Sequence, residues 1–180
     1  MYEKQSLEQQ IMENYHKYFK EIYQMMLFFT GDSHNAEDLT QEVFVRVLKA
    51  LPSFQERSGM RTWIFKVARN VAIDEYRKKR LRTLFSPDLF KILPSTNGLP
   101  EQELQIKETR EYIQKALLKL NSHHRLVIIL RGLKEYSVKE TAEILGCSEA
   151  KIKVDFHRAL KKLRGTVEES MKGARTIELS

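Results

Sequence analysis

The chain has 180 residues, with 31 Lys and Arg against 24 Asp and Glu, a formal charge of +7. That surplus favours a polyanionic partner, nucleic acid before an anionic membrane surface. Seven Gly and four Pro are too few for an all-β chain rich in tight turns, and the single cysteine, Cys147, excludes a disulfide framework or a Cys-based zinc finger. No apolar run approaches the about 18 residues of a spanning helix, so no membrane insertion is expected. The N-terminal MYEKQSLEQQ lacks the charged-then-apolar layout of a signal peptide. With one unpaired cysteine, this points to a soluble, mostly helical protein of the reducing cytoplasm.

The apolar residues Leu7, Ile11, Tyr15, Tyr18, Phe19, Ile22, Tyr23, Met26 and Phe29 step by three and four, which predicts a first helix. Gly31 closes it. A second helix is predicted from Asn35 to about Leu51, burying Ala36, Leu39, Val43, Val47 and Ala50. Pro52 stops it, and residues 52 to 59 read as a loop. A third helix from Met60 to about Leu81 carries Ile64, Val67, Ala68, Val71 and Ala72 inward.

Residues 83–100 hold three of the four prolines and no sustained stripe, and read as a flexible linker. A second helical block begins at Glu101, with Leu104, Ile113, Ala116, Leu117 and Leu120 on one face. Helices at His124 to Leu133, Val138 to Leu145 and Glu149 to about Arg164 follow, and the polar tail from Gly165 is expected to fray. The fold class is therefore all-α: two small helical domains, 1–82 and 101–166, joined by the 83–100 linker and followed by a 167–180 tail.

Ser137 with Glu140 three residues on has capping-box spacing, Gly146 suits the turn, and Ser148 caps the next helix. This is the layout of a helix-turn-helix, whose second helix enters the major groove. Ile152, Phe156, Ala159, Leu160 and Leu163 form the inward stripe, leaving Lys151, Lys153, Val154, Asp155, His157, Arg158, Lys161 and Lys162 outward. Lys151 and Lys153 suit guanine acceptors or phosphates, Asp155 a cytosine amine, and Arg158, Lys161 and Lys162 the phosphate backbone. A helical hairpin with a merely solvated basic face is the bland alternative. Cys147 reads as a small apolar filler in the turn, and His123 and His124 as exposed caps without a third ligand to make a metal site.

The third helix is basic too: residues 61–82 hold eight Lys and Arg against Asp74 and Glu75. Phe54, Trp63 and Tyr76 are interleaved with these cations, a mixture that suits unstacked bases. Trp63 equally suits core packing, and one indole can serve both ends. On the second helix, Asp38, Gln41, Glu42 and Arg46 share a polar face. Such a stripe is usually solvated surface, and on a DNA-binding protein it suits a protein partner.

The run Ala36-Glu37-Asp38-Leu39-Thr40-Gln41-Glu42-Val43-Phe44 resembles the second region of bacterial sigma factors. The run from Thr62 through Trp63, Ala68-Arg69-Asn70 and Asp74 to Arg77 resembles the promoter-reading helix of the short extracytoplasmic-function (ECF) group, and Ser137 to Arg164 is similar to its fourth region. The resemblance covers Leu7 to Arg164 and implies an all-α transcription initiation factor, not an enzyme, working without a cofactor. Its partners would be core RNA polymerase (clamp helices and flap), promoter DNA and an anti-sigma factor. Asp38, Gln41, Glu42 and Arg46 would dock on the clamp helices. Phe54, Arg61, Trp63, Lys66, Asn70 and Arg77 would engage the −10 element, with residues 54–59 taking a flipped base and Asn70 at the pocket wall. Ser148, Lys151, Lys153, Val154, Asp155, His157, Arg158 and Lys162 would read the −35 duplex, and the linker would thread toward the RNA exit channel. Lys151 and Asp155 replace the Thr and Arg common at those positions, so the −35 sequence does not transfer. The rival reading is a stand-alone helix-turn-helix regulator, which would bind a palindromic duplex by itself as a dimer.

Overall fold

A computed structural model describes residues 2–54, 59–85 and 111–177, and among them there is no strand. Helix α1 spans Tyr2–Thr30. Its end is set locally: Gly31 takes a left-handed backbone (φ 74°), its N–H returns to the Leu27 carbonyl, and the Thr30 hydroxyl donates to Met26. Asp32 then accepts from the Asn35 N–H at 2.7 Å and caps α2, Ser33–Ala50. Leu51–Ser53, with Pro52 inside it, forms one tight 3-10 turn. Helix α3 runs Met60–Phe85, four residues beyond its expected end.

A helix α4 is described over 111–118, and α5 spans Ser122–Ile128. The expected single helix to Leu133 is broken instead by a π-turn at Ile129–Leu133, whose wider loop is closed by Lys134 N–H on the Ile129 carbonyl. Glu135 then sits at φ 56°, and this reversal drives Tyr136 inward. Helix α6 is Val138–Leu145 with the full capping box between Ser137 and Glu140, and it stops at Gly146 (φ 64°). Ser148 accepts from the Lys151 N–H, opening α7. Helix α7 continues to Ile177 rather than ending near Arg164. Gly165 keeps a negative φ and so does not act as a stop, and Thr166 is buried beyond it.

The inward stripes of α2 and α3 match expectation at Ala36, Leu39, Val43, Val47, Ile64, Ala68, Val71 and Ala72, while Ala50 and Val67 are half-buried. Phe44 and Phe65 join them. The expected linker, 83–100, lies mostly outside the described residues, as do Leu104 and the start of the second block.

The two blocks do not stand apart. One continuous apolar cluster joins Ile22, Met25, Phe29, Ile64, Phe65 and Ala68 of the first to Leu126, Ile129, Leu130, Tyr136, Ile144 and Ile152 of the second. Arg125 welds the joint. It is 6% exposed and its guanidinium donates to four carbonyls: Phe29 of α1, and Leu117, Leu118 and Leu120 at the end of α4. It therefore closes two helix ends at once, with its charge at the favourable carbonyl pole of each.

Candidate nucleic-acid and polymerase interfaces

The α2 face places Asp38, Gln41 and Glu42 in solvent, with Val45 and Leu48 exposed beside them. Arg46 is drawn back from that face. Its Nε donates to Glu42 Oε1 at 2.7 Å and its terminal nitrogen to Asp74 Oδ2 of α3 at 3.0 Å. Both carboxylates hold the guanidinium in its charged form. The polar stripe thus stays rigidly registered on α3, next to an apolar patch of the kind that suits a protein partner.

The α3 set divides in two. Asn70 and Arg77 are exposed, and Trp63 is half-buried against the core with its ring 4.8 Å from that of Phe54. Trp63 therefore packs the core while keeping one edge open, and Phe54 partners it. Residues 55–58 of the proposed base-capturing loop lie outside the described residues.

Other members of the set face the second block. Arg61 donates twice to Glu21 and lies 4.3 Å over the Tyr136 ring, which also packs 4.9 Å from Phe65. Lys66 pairs with Glu143 of α6 at 2.9 Å. Arg69 donates to the Ile144 carbonyl at 3.2 Å, near the end of α6. Arg69, Tyr136 and Glu143 escape sequence reasoning because their roles come from a contact between blocks. The joint contains polar loose ends: the Tyr136 hydroxyl and Arg69 Nε are buried without a hydrogen-bond partner among the described residues. Burial pushes the Tyr136 phenol above its ordinary pKa, so it remains a neutral, unsatisfied hydroxyl.

On α7, Lys151, Lys153, Val154, His157, Arg158 and Lys162 are exposed as expected, and Ser148 is exposed at the cap. Val154 is 47% exposed, an apolar side chain among cations. Asp155 is the correction. It is 5% exposed and turned away from the open face, because it lies on the same side of the helix as buried Ala159 and Thr166. Its Oδ2 accepts from Lys151 Nζ at 2.6 Å and pairs with His123 Nε2 at 2.8 Å, while His124 Nε2 stands 3.8 Å from Oδ1. Desolvation opposes the charge, but the hydrogen bonds from Lys151 and His123 outweigh it and hold the carboxyl below its ordinary value. The expected contact to a cytosine amine is thus ruled out in this arrangement.

The two histidines are not exposed caps either. Asn121 is the cap, accepting from the His124 N–H, and both imidazoles are half-buried against α7. Burial lowers the His124 pKa, with Asp155 opposing. No cluster of three or more metal-ligating side chains is present among the described residues. Burial also raises the Cys147 thiol, in line with a filler and not an activated cysteine.

A helix-turn-helix with a basic second helix, tied to a helical block that carries its own basic helix and an acidic polar face, defines a DNA-binding protein built to meet a protein partner. Comparison with known proteins makes the class specific. Residues 15–82 match Sigma-70 region 2, and residues 110–163 match Sigma-70, region 4. The chain is 38% identical over 159 residues to the ECF RNA polymerase sigma factor SigX of Bacillus subtilis, covering 86% of this chain and 81% of that protein. It is 35% identical to the RNA polymerase sigma factor YlaC of the same organism, covering 89% and 93%. Among solved structures, the sigma factor RpoE in complex with the anti-sigma factor NepR from Bartonella quintana shares the fold, with a TM-score of 0.68 at 24% identity over 87% of this chain and 95% of that one. CnrH in complex with the cytosolic domain of CnrY gives 0.67 at 22% identity over 90% of each chain. The chain belongs to the sigma-70 family, in its ECF group.

Proposed function

We propose that this protein directs core RNA polymerase to promoters by reading the −10 and −35 elements. The observation that carries this is the presence, in one chain and in order, of regions 2 and 4 of the sigma-70 family, each with its own basic helix. It acts as a specificity subunit and not an enzyme, in the cytoplasm, without a cofactor. The stand-alone regulator reading is not favoured, because such a protein has no use for a second basic helix with an acidic docking face.

Asp38, Gln41 and Glu42, with Arg46 holding their register, dock on the polymerase clamp helices. Phe54, Arg61, Trp63, Lys66, Asn70 and Arg77 meet the −10 strand. Ser148, Lys151, Lys153, Val154, His157, Arg158 and Lys162 meet the −35 duplex. A groove of about 750 Å³ beside α7, lined by Arg131, Val138, Ile152, Phe156, Leu160 and Arg164 among others, suits the polymerase flap. Because Arg61 and Lys66 are engaged by the second block, that block moves off α3 before the −10 strand is bound. The buried orphan polar atoms at this joint are consistent with an interface made to separate. A separate anti-sigma chain that contacts both blocks would keep the protein inactive, a reading supported by the pairing of the sigma factor RpoE with the anti-sigma factor NepR.

The test is run-off transcription with purified core polymerase on a genomic promoter library. Protein-dependent start sites that share two motifs are the expected result. Absence of transcripts, together with tight binding of this protein alone to a palindromic duplex, would hand the function to the regulator reading.

A further inference from the structure

We propose that Asp155 is a positioning residue that sets which −35 sequence this protein selects, by holding Lys151 off the base edges and leaving the central reading to Val154 and Arg158. The inference rests on the promoter-reading function above. Lys151 stands in the first turn of the helix that enters the groove, where side chains ordinarily meet bases. Its side chain is half exposed, yet its ammonium is held 2.6 Å from Asp155 Oδ2, at the edge of the open face. The same oxygen is engaged by His123 of α5, so the ammonium is fixed toward α5 and away from the middle of the groove surface. His124, Lys162 and the Cys147 thiol are the other titratable groups that interact with this cluster, and none of the three is a carboxylate.

Two physical consequences follow. A carboxylate on a groove-reading helix would repel phosphate, and burial behind Lys151 and His123 removes that conflict. A lysine held at the edge adds charge against the backbone without selecting a base, because phosphate contacts carry no sequence information directly. The centre of the open face is then an isopropyl group, Val154, beside the Arg158 guanidinium. That pair suits a thymine methyl next to an acceptor-rich base or a phosphate.

The experiment is transcription by the reconstituted holoenzyme on a promoter library randomised through the −35 element. With Asp155→Asn, the released Lys151 is expected to gain guanine at one −35 base pair by about tenfold, within the range a good base contact supplies. Lys151→Met alone should leave every base preference within about twofold and lower output uniformly, as loss of a phosphate contact does. Asp155→Asn combined with Lys151→Met should return to the wild-type preference. Should Asp155→Asn fail to fold, His123→Gln loosens the same carboxylate from α5 and should give a smaller shift at the same base pair.

Unchanged preference in the folded Asp155→Asn protein, or in His123→Gln where that variant stands in, overturns the proposal. So does a Lys151→Met protein whose base preference changes as much as that of Asp155→Asn. A wild-type holoenzyme that transcribes with no −35 preference overturns the promoter reading itself, and the positioning role with it.

Discussion

Arg125 is the residue whose loss should be felt most. Replacing it with Met keeps the length and apolar stem but withdraws the guanidinium from the carbonyls of Phe29, Leu117, Leu118 and Leu120. A hydrogen bond to a charged group contributes about 1.5–3 kcal/mol, and a stranded buried carbonyl costs about 1–3 kcal/mol. Leu118 lies at the surface, so water recovers that carbonyl, whereas Leu117, Leu120 and Phe29 are buried. Against this, the wild-type guanidinium is itself desolvated, which lowers its pKa and reduces the net gain. Balancing three buried carbonyls against that penalty gives a loss of about 3–5 kcal/mol. Urea unfolding followed by the helical circular dichroism signal measures it, with the midpoint falling and the slope unchanged if the native surface is preserved. Arg125→Lys should recover less than half, because one ammonium cannot span four carbonyls held by a planar fork. A loss below about 1 kcal/mol in Arg125→Met, or full recovery in Arg125→Lys, would refute the claim that this guanidinium ties both helix ends.

Three further outcomes are expected. Lys66→Glu should loosen the two blocks by removing the pair with Glu143, and the exchange Lys66→Glu with Glu143→Lys should restore their proximity, read by fluorescence transfer between labels on α3 and α6, but not transcription; restored transcription would mean Lys66 serves only the joint. Ser137→Ala should cost about 1 kcal/mol in urea unfolding by removing the capping box of α6, and no change would mean the cap is redundant. Asp155 has a folded-state pKa below its unfolded value, so its contribution is complete above the ordinary carboxylate pKa of about 3.9 and is lost as the pH falls through the folded value. Acid unfolding of Asp155→Asn should therefore lose less stability than wild type below about pH 4, and identical acid limbs would contradict the buried pairing.

Much of this protein is written locally. The three- and four-residue spacing of apolar side chains, Gly31 and Gly146 at left-handed turns, and the Ser137–Glu140 box specify helices and caps through interactions within a few residues, so α1 to α3, α6 and the start of α7 are legible from the chain itself. The motifs that place it in its family are similarly contiguous, and the exposed positions Asp38, Gln41, Glu42, Lys153, Val154, His157 and Arg158 follow from helical spacing.

What the linear pattern does not contain is the contact between distant segments. Asp155 shares the helix side of buried Ala159 and Thr166, but the partner its carboxylate meets there, His123 from 32 positions away, is absent from the linear pattern. Arg61, Lys66 and Arg69 read as a free basic face until α6 and Tyr136 are packed on them. The π-turn at Ile129–Leu133 and the left-handed Glu135 have no propensity signature, because they are forced by fitting Tyr136 into a core shared by both blocks. Helix identity and chemical class are short-range properties of this chain. The state of each functional charge, free or held, is a long-range one, since a hydrogen bond or ion pair depends on ångström-scale distances that only the assembled fold sets.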